Sequence, residues 1–188
     1  IVFWKRNVNR DTGKKNAEKS KSPFTAKDWV SLLEWAESKL DSGYTLAGNR
    51  AITLPPKTKD DIEFSRIMQV FFIDGSKLYR NKLQWILESS EDIHFTIQVL
   101  QMGGKVVTSD KFLYACEDYH SDGGCKLSGR TSESTLSDMN KLANMYPKFI
   151  QMKDEFVELK NNFVYQKHRL NLRKAYNPFY GKLNNKFF

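Results

Sequence analysis

Residues 89–108 read SSEDIHFTIQVLQMGGKVVT, and this stretch decides the fold class of the chain. Ser90 is typical of a helix N-cap, and the acidic pair Glu91-Asp92 suits the positive end of a helix dipole. Apolar residues then recur at helical spacing until Gly103-Gly104, which ends a helix. A run with strand character follows at residues 105–108. The stretch therefore predicts a helix, a turn and a strand in direct succession.

The rest of the chain alternates helical and strand patterns. Thr25 precedes an apolar stripe with helical spacing, and residues 66–74 are almost continuously apolar, as in a strand buried on both faces. The other predicted segments are a helix at 132–145 before Pro147, strands at 1–4, 44–46 (closed by Gly48-Asn49) and 112–115, and amphipathic stretches at 149–159 and 163–170. This alternation predicts an α/β fold with a mixed central sheet flanked by helices, in one domain over residues 1–170.

The chain is basic, with 30 Lys and Arg against 22 Asp and Glu and a formal net charge of +8. Lysine and arginine bind polyanions by displacing condensed counterions, so this charge favours DNA as a partner. The excess lies in residues 5–22, predicted as a mobile basic loop, and in a basic tail at 171–188. We expect the loop to hold the DNA backbone through Lys5, Arg6, Arg10, Lys14 and Lys15. No apolar run is long enough to span a bilayer, so no membrane partner is expected.

The pair Glu91-Asp92 is the first candidate for chemistry. A carboxylate at the start of an anchored helix can point into a cleft and remove a proton from an acceptor hydroxyl within hydrogen-bond reach. The alternative is an ordinary capping acid on a solvated helix. The local pattern alone leaves both interpretations open.

Residues 116–125, CEDYHSDGGC, are the second candidate. Acidic and histidine side chains crowded on a loop, such as Asp118 and His120, can ligate a divalent metal. The glycines Gly123-Gly124 let backbone amides approach an anion. The alternative is a polar turn without a ligand. Arg130 follows this loop and can meet a phosphate or carboxylate with its guanidinium fork.

The order of these motifs resembles that of a known family. Residues 91–106 are similar to the Glu-Asp-x-hydrophobic helix of type A nucleotide-sugar glycosyltransferases, which is likewise followed by glycine and a strand. Gly123-Gly124-Cys125, then Arg130-Thr131, then a helix ending in MYPKFI at 145–150, resemble the TET-associated glycosyltransferase family of phages. The similarity covers most of residues 1–153, and its specific part is residues 91–150.

The resemblance implies a reaction and its catalytic residues. A sugar would move from a nucleotide-sugar donor to a hydroxymethylated pyrimidine, with 5-hydroxymethylcytosine in double-stranded phage DNA as the expected acceptor. Asp92 would be the catalytic base that activates the acceptor hydroxyl, and Glu91 would support it. The implied fold is that of the type A glycosyltransferases, and the implied location is the cytoplasm of the infected bacterial host.

The same resemblance implies roles for the loop and for a metal. Gly123, Gly124 and Arg130 would shape the acceptor or phosphate loop. His120 or Asp118 would contact a divalent metal, Mn or Mg, at the diphosphate end of the donor.

In that family an acidic metal-binding motif precedes a hydrophobic segment similar to residues 1–6, IVFWKR. Neither those acids nor the preceding nucleotide-binding strands are found in this sequence. We therefore expect the chain to lack its N-terminal part and to bind a sugar nucleotide poorly.

Two alternatives from other functional classes stay open. Asp61, Asp74 and Lys77 around an apolar strand are similar to the acid–acid–Lys sites of metal-dependent nucleases. A non-catalytic DNA-binding remnant of a transferase would bind duplex DNA with a steep salt dependence and without any response to donor nucleotide.

Overall fold

The computed structural model of the chain describes residues 1–6, 21–55, 57, 59–78, 83–115, 130–159 and 162–179. The chain divides into two compact units. The first comprises Ile1–Lys82 and Gly104–Cys116, and the second comprises Leu83–Gly103 and Glu117–Phe188. The sequence predicted one domain over residues 1–170. The structure divides the chain into two units whose segments alternate in sequence.

Each unit contains both helices and strands. The first unit contains β1 (Val2–Arg6), β2 (Lys21–Pro23), α1 (Ala26–Asp41), β3 (Leu46–Ala51), β4 (Asp61–Glu63), β5 (Phe71–Ile73), α2 (Gly75–Leu78) and β6 (Val106–Ala115). The second unit contains α3 (Glu91–Gln101), α4 (Ser132–Met145), β7 (Ile150–Glu158), β8 (Val164–Leu170) and α5 (Leu172–Ala175). None of the helices in the described ranges is long and apolar enough to cross a membrane.

The first unit is built on a mixed sheet with the strand order β2-β1-β6-β3-β5, and β4 also pairs with β6. Strands β3 and β6 run parallel, whereas the other pairs are antiparallel. Helix α1 packs against β3. The predicted α/β class with a mixed sheet and helices is confirmed at this level.

Helix α1 begins where its capping residues predict. The hydroxyl of Thr25 accepts a hydrogen bond from the backbone N–H of Asp28, and the Asp28 carboxylate accepts one from the backbone N–H of Thr25. The hydrogen bonds from Thr25 lower the pKa of Asp28 to about 2. Leu32 and Ala36 are buried and hold one face of the helix against the interior of the unit.

Strand β3 continues through Gly48-Asn49, which the sequence predicted as its end. Gly48 lies inside the sheet and pairs with residues of both β5 and β6. A Cβ at Gly48 would lie 3.0 Å from the carbonyl oxygen of Val70 and 3.1 Å from Cγ2 of Ile67. This glycine therefore serves a close approach within the sheet, not a turn.

The apolar run at residues 66–74 forms only a short edge strand. Phe71–Ile73 pairs with β3 at the end of the strand order, and Ile73 is 38% exposed. Ile67 is buried, although it lies outside any strand. The predicted strand buried on both faces is wrong, because an apolar run does not distinguish a central strand from an edge segment that buries only some side chains.

Strand β6 replaces the two separate strands that the sequence predicted. Its pairing with β3 shifts register partway along the strand. At this irregularity the hydroxyl of Ser109 accepts hydrogen bonds from the backbone N–H groups of Lys111 and Phe112, both at 3.1 Å. Asp110 lies here in the interior and is only 1% exposed.

Asp110 forms ion pairs with two buried arginines. Arg50 donates to one carboxylate oxygen, and Nε of Arg6 lies 3.5 Å from the other. Two guanidinium groups thus share one carboxylate, and Nη1 of Arg6 has no hydrogen-bond partner among the described residues. Arg6 is 3% exposed, so its guanidinium is not available to a DNA phosphate at the surface, contrary to the prediction.

Helix α4 of the second unit matches its prediction at both ends. Thr131 caps it in a reciprocal capping box with Ser134, and it ends before Pro147. The two amphipathic stretches, whose type the sequence left open, form the antiparallel hairpin β7-β8. Part of the predicted basic tail is the short helix α5, whose residues Leu172 and Ala175 are buried.

We expect Gly48→Ala to lower the free energy of unfolding by about 1–3 kcal/mol, because the new methyl group would press on the backbone carbonyl of Val70. Gly75→Ala is the matched control, since a Cβ at Gly75 meets no atom within 4 Å. Urea unfolding of the two variants and the wild type measures the difference. An equal effect of both substitutions would contradict the close approach at Gly48.

We expect Asp110→Asn to destabilise the protein by about 3–5 kcal/mol, because it leaves two buried guanidinium groups without a countercharge. Asp41→Asn, at the exposed end of α1, is the control and should change stability by no more than about 0.5 kcal/mol. Thermal unfolding followed by circular dichroism compares them. A loss no larger than that of the control would show that Asp110 does not balance these charges.

Candidate active site

The N-terminus of α3, in the second unit, is the centre of the candidate site. Glu91 and Asp92 occupy its first turn and are half-buried. The helix body is anchored by side chains that are all less than 5% exposed, namely Ile93, Phe95, Ile97, Val99 and Leu100. The helix dipole places partial positive charge at this end, and the two acidic side chains complement it.

Ser90 directs the chain into α3 through its backbone. Its φ of 61° lies in the left-handed region, which is uncommon for residues other than glycine. Ser90 is the N-cap residue of α3, as predicted, but its side chain makes no capping hydrogen bond. Its carbonyl instead accepts hydrogen bonds from the N–H groups of Ile93 and His94, at 3.1 and 3.2 Å. Strained backbone of this kind clusters at functional sites.

A buried carboxylate on α4 holds the segment that precedes α3. Oδ2 of Asp138 accepts hydrogen bonds from the backbone N–H groups of Glu88 and Ser89, at 3.0 and 2.9 Å. Nζ of Lys141 lies 3.0 Å from Oδ1 of the same carboxylate. The hydroxyls of Ser89 and Thr135 are 3.2 Å apart. These bonds fix the backbone immediately before the strained residue and the acidic pair.

The environment of Asp138 favours its ionised form. Burial raises the pKa of this carboxyl, but the hydrogen bonds from Lys141 and from the backbone of Ser89 and Glu88 outweigh burial and leave the pKa below its ordinary value. A carboxyl whose pKa is lowered by folding stabilises the folded state above its unfolded-state pKa. That contribution is lost as the pH falls through the folded-state pKa.

Arg130 gives the two acids of the pair different surroundings. Its Nη2 lies 3.3 Å from Oε2 of Glu91 and also donates a hydrogen bond to the carbonyl of Glu88. The side chain of Arg130 is 13% exposed and that of Glu91 is 39% exposed, so the ion pair is partly shielded from water. The structure thus brings together three predicted site residues, Glu91, Asp92 and Arg130.

His94 belongs to the interior of the unit. It is 2% exposed, and its ring centroid lies 5.8 Å from that of Tyr146. Burial lowers the pKa of His94 and raises the pKa of Tyr146, so both side chains are neutral at pH 7. His94 is therefore a core side chain and not a member of the candidate site.

The other predicted site residues do not join this cluster in the described part of the chain. Arg10, Lys14, Lys15, Asp118, His120, Gly123 and Gly124 lie outside the described residues. The predicted mobile loop at 5–22 is flanked by strands, since its first residues belong to β1 and its last to β2. Nζ of Lys5 lies 3.0 Å from Oδ1 of Asp28, so this predicted DNA contact is already engaged in an ion pair.

The described residues also bear on the predicted metal site. Among them, no group of three or more His, Cys, Asp or Glu side chains could hold a metal ion. The resemblance assigned the metal to His120 and Asp118, which lie outside this part of the chain. The described donors therefore do not fit a metal centre by themselves.

The acids of the nuclease alternative form separate ion pairs. Oδ2 of Asp61 lies 2.6 Å from Nζ of Lys39, and its other carboxylate oxygen accepts a hydrogen bond from the indole N–H of Trp35. Asp74 pairs with Lys77 at 2.7 Å. Each acid thus has its own lysine, and the described residues do not join them in a metal-binding group.

Sequence reasoning missed Asp138. A single aspartate in a predicted helix has no motif around it, but its position carries a signal. Asp138 shares the inward face of α4 with the buried residues Thr135, Met139 and Leu142. An acid among inward-facing positions predicts a buried hydrogen-bond network, because an unpaired buried charge is too costly.

The chain matches no protein-family model, no curated protein sequence and no solved structure.

We expect Asp138→Asn to lower the free energy of unfolding at pH 7 by about 1–3 kcal/mol, because charge-assisted hydrogen bonds to two backbone amides are lost. The variant should also lose less stability than the wild type as the pH falls below about 5, since one carboxyl with a lowered pKa is gone. Urea unfolding at several pH values measures both effects. Asp154→Asn, on an exposed position of β7, is the control. Parallel pH profiles for the wild type and Asp138→Asn would contradict the assignment.

Proposed function

We propose that this protein transfers a sugar from a nucleotide-sugar donor to a hydroxymethylated pyrimidine, with 5-hydroxymethylcytosine in double-stranded DNA as the acceptor. The observation that carries the proposal is the acidic pair at the anchored start of α3, in which Glu91 is paired with Arg130 and Asp92 occupies the next position. The resemblance of residues 91–150 to the TET-associated glycosyltransferases of phages supplies the reaction class. The proposed setting is the cytoplasm of an infected bacterium.

In the proposed reaction Asp92 accepts the proton of the acceptor hydroxyl. The acceptor oxygen then bonds to the anomeric carbon of the donor sugar. The bond between that carbon and the diphosphate oxygen breaks, and the nucleoside diphosphate leaves with the electron pair.

Glu91 is proposed as a positioning residue that acts through Arg130. Arg130 follows the predicted acceptor loop in sequence, and it is bonded both to Glu91 and to the carbonyl of Glu88. The ion pair therefore ties the end of that loop to the start of α3. Loss of the pair would alter how the acceptor meets Asp92 without removing the base itself.

A divalent metal, Mn or Mg, is also part of the proposal, and when bound it would neutralise charge on the leaving diphosphate. Asp118 and His120 stay its predicted ligands. The described residues provide no ligand cluster for it, so no residue of α3 is assigned to the metal.

We expect Asp92→Asn to lower the rate of sugar transfer by at least about 100-fold, because general-base catalysis contributes a factor of this size. Glu91→Gln should lower the rate by a smaller factor, since it removes only the link to Arg130. The assay incubates hydroxymethylcytosine-containing duplex DNA with the protein, Mn²⁺ and a panel of sugar nucleotides. The DNA is then digested, and the nucleosides are weighed by mass spectrometry.

Asp154→Asn is the control variant and should retain the wild-type rate. Melting temperatures of all three variants separate a catalytic loss from unfolding. A folded Asp92→Asn variant that transfers sugar at the wild-type rate would rule out Asp92 as the base. If the wild type forms no hexose- or pentose-sized adduct with any donor, the proposed reaction is wrong.

A further inference from the structure

A basic groove lies at the base of the β7-β8 hairpin in the second unit. Its volume is about 580 Å³, and its lining includes Lys148, Phe149, Gln151, Arg169, Asn171 and Lys174. We propose that this groove binds the phosphate backbone of duplex DNA. The proposed function names DNA as a partner but places no contact here, and the groove can bind DNA whether or not a sugar is transferred.

The groove is assembled from parts with defined positions. Gln151 and Arg169 are directly opposite each other on the two antiparallel strands, so their side chains extend from the same face. The backbone N–H of Asn171 donates to the carbonyl of Phe149 at 2.8 Å, which joins the end of β8 to the turn before β7. The side-chain oxygen of Asn171 accepts a hydrogen bond from the N–H of Lys174 and caps α5. These bonds hold the lining side chains on a fixed backbone.

The cations of the groove have no acidic partner among the described residues. Lys148, Arg169 and Lys174 are exposed, and the described residues of its lining include no acid. None of these three cations forms a salt bridge with another described residue. Further along the same hairpin the situation differs, since Nζ of Lys167 lies 2.8 Å and Nζ of Lys153 lies 3.9 Å from carboxylate oxygens of Glu155. The hydrogen bond from Lys167 lowers the pKa of Glu155, as expected for an ion pair.

The arrangement suits a polymer of phosphates better than a single small anion. The three cations come from three different segments, namely the turn after α4, strand β8 and helix α5. They border one groove that is open to solvent. A guanidinium and two ammonium groups can each contact a different phosphate and displace condensed counterions. The side-chain amides of Gln151 and Asn171 add neutral donors for phosphate or sugar oxygens.

The test compares two double variants that remove the same charge from the same unit. Lys148→Gln with Lys174→Gln removes two groove cations, and Lys153→Gln with Lys167→Gln removes the two paired ones. Binding of the full chain to a fluorescent 20-base-pair unmodified duplex is followed by anisotropy at several salt concentrations. We expect the groove double variant to bind roughly tenfold more weakly, and its log–log salt slope to fall by about 1.8, or about 0.9 for each phosphate contact.

The control double variant should keep the wild-type salt slope within error, and Arg169→Gln should lower the slope by about 0.9. All four replaced lysines are exposed, so unchanged melting temperatures are expected for both double variants. Equal losses of affinity and slope in the two double variants would overturn the proposal, because net charge alone would then explain binding. Retention of full duplex affinity by the groove variant, or binding of the wild type to anionic vesicles but not to duplex, would also overturn it.

This experiment is separable from the sugar-transfer assay. The groove variants leave Glu91, Asp92 and Arg130 unchanged, because none of these residues lines the groove. Failure of transfer with intact groove-dependent binding would refute the proposed reaction alone. Sugar transfer together with a duplex affinity that is the same in the wild type and the groove variants would refute the groove proposal alone.

Discussion

The buried carboxylate of Asp138 is the interaction on which the candidate site depends. It accepts hydrogen bonds from two successive backbone amides, those of Glu88 and Ser89, and thereby fixes the chain just before α3. The left-handed conformation of Ser90 costs free energy and persists only because the flanking backbone is held on both sides. The carboxylate of Asp138 holds the residues before Ser90, and the buried face of α3 holds the residues after it. This constraint fixes the backbone from which the side chains of Glu91 and Asp92 extend.

A second buried carboxylate, Asp110, has a different role in the first unit. Asp110 is the shared countercharge of the guanidinium groups of Arg6 and Arg50 in the interior of the sheet. Asp138 faces one exposed lysine, Lys141, and its other carboxylate oxygen accepts hydrogen bonds from backbone amides. The first arrangement stabilises a sheet irregularity, whereas the second positions a loop. Burial of an acid alone therefore does not indicate function, and the identity of its donors decides what it does.

The parts of the structure that the sequence predicted are those with local causes. Helices α1 and α4 start at Thr25 and Thr131 because each threonine meets its capping partner within three residues. The sequence did not predict the roles of three features, because these roles depend on segments far away in sequence. They are Gly48, the apolar run at 66–74 and Arg6. The acidic pair of α3 was predictable as a candidate base from its position at a helix start. The buried aspartate that supports it was missed, because the two backbone amides that it binds lie about fifty residues earlier.

The net charge of the chain favoured DNA as a partner but did not locate a binding surface. The reason is that some lysines form ion pairs with carboxylates and others do not. The second unit contains both paired and unpaired lysines. Lys153 and Lys167 lie beside Glu155. Lys148 and Lys174 have no acid near them in the described lining of the groove. A paired lysine must exchange its carboxylate for a phosphate, so its net gain on binding is small. An unpaired lysine exchanges only water and mobile ions and keeps the full gain from counterion release. We therefore expect a polyanion to prefer the cations that have no acid beside them among the described residues, whereas sequence composition counts both kinds alike.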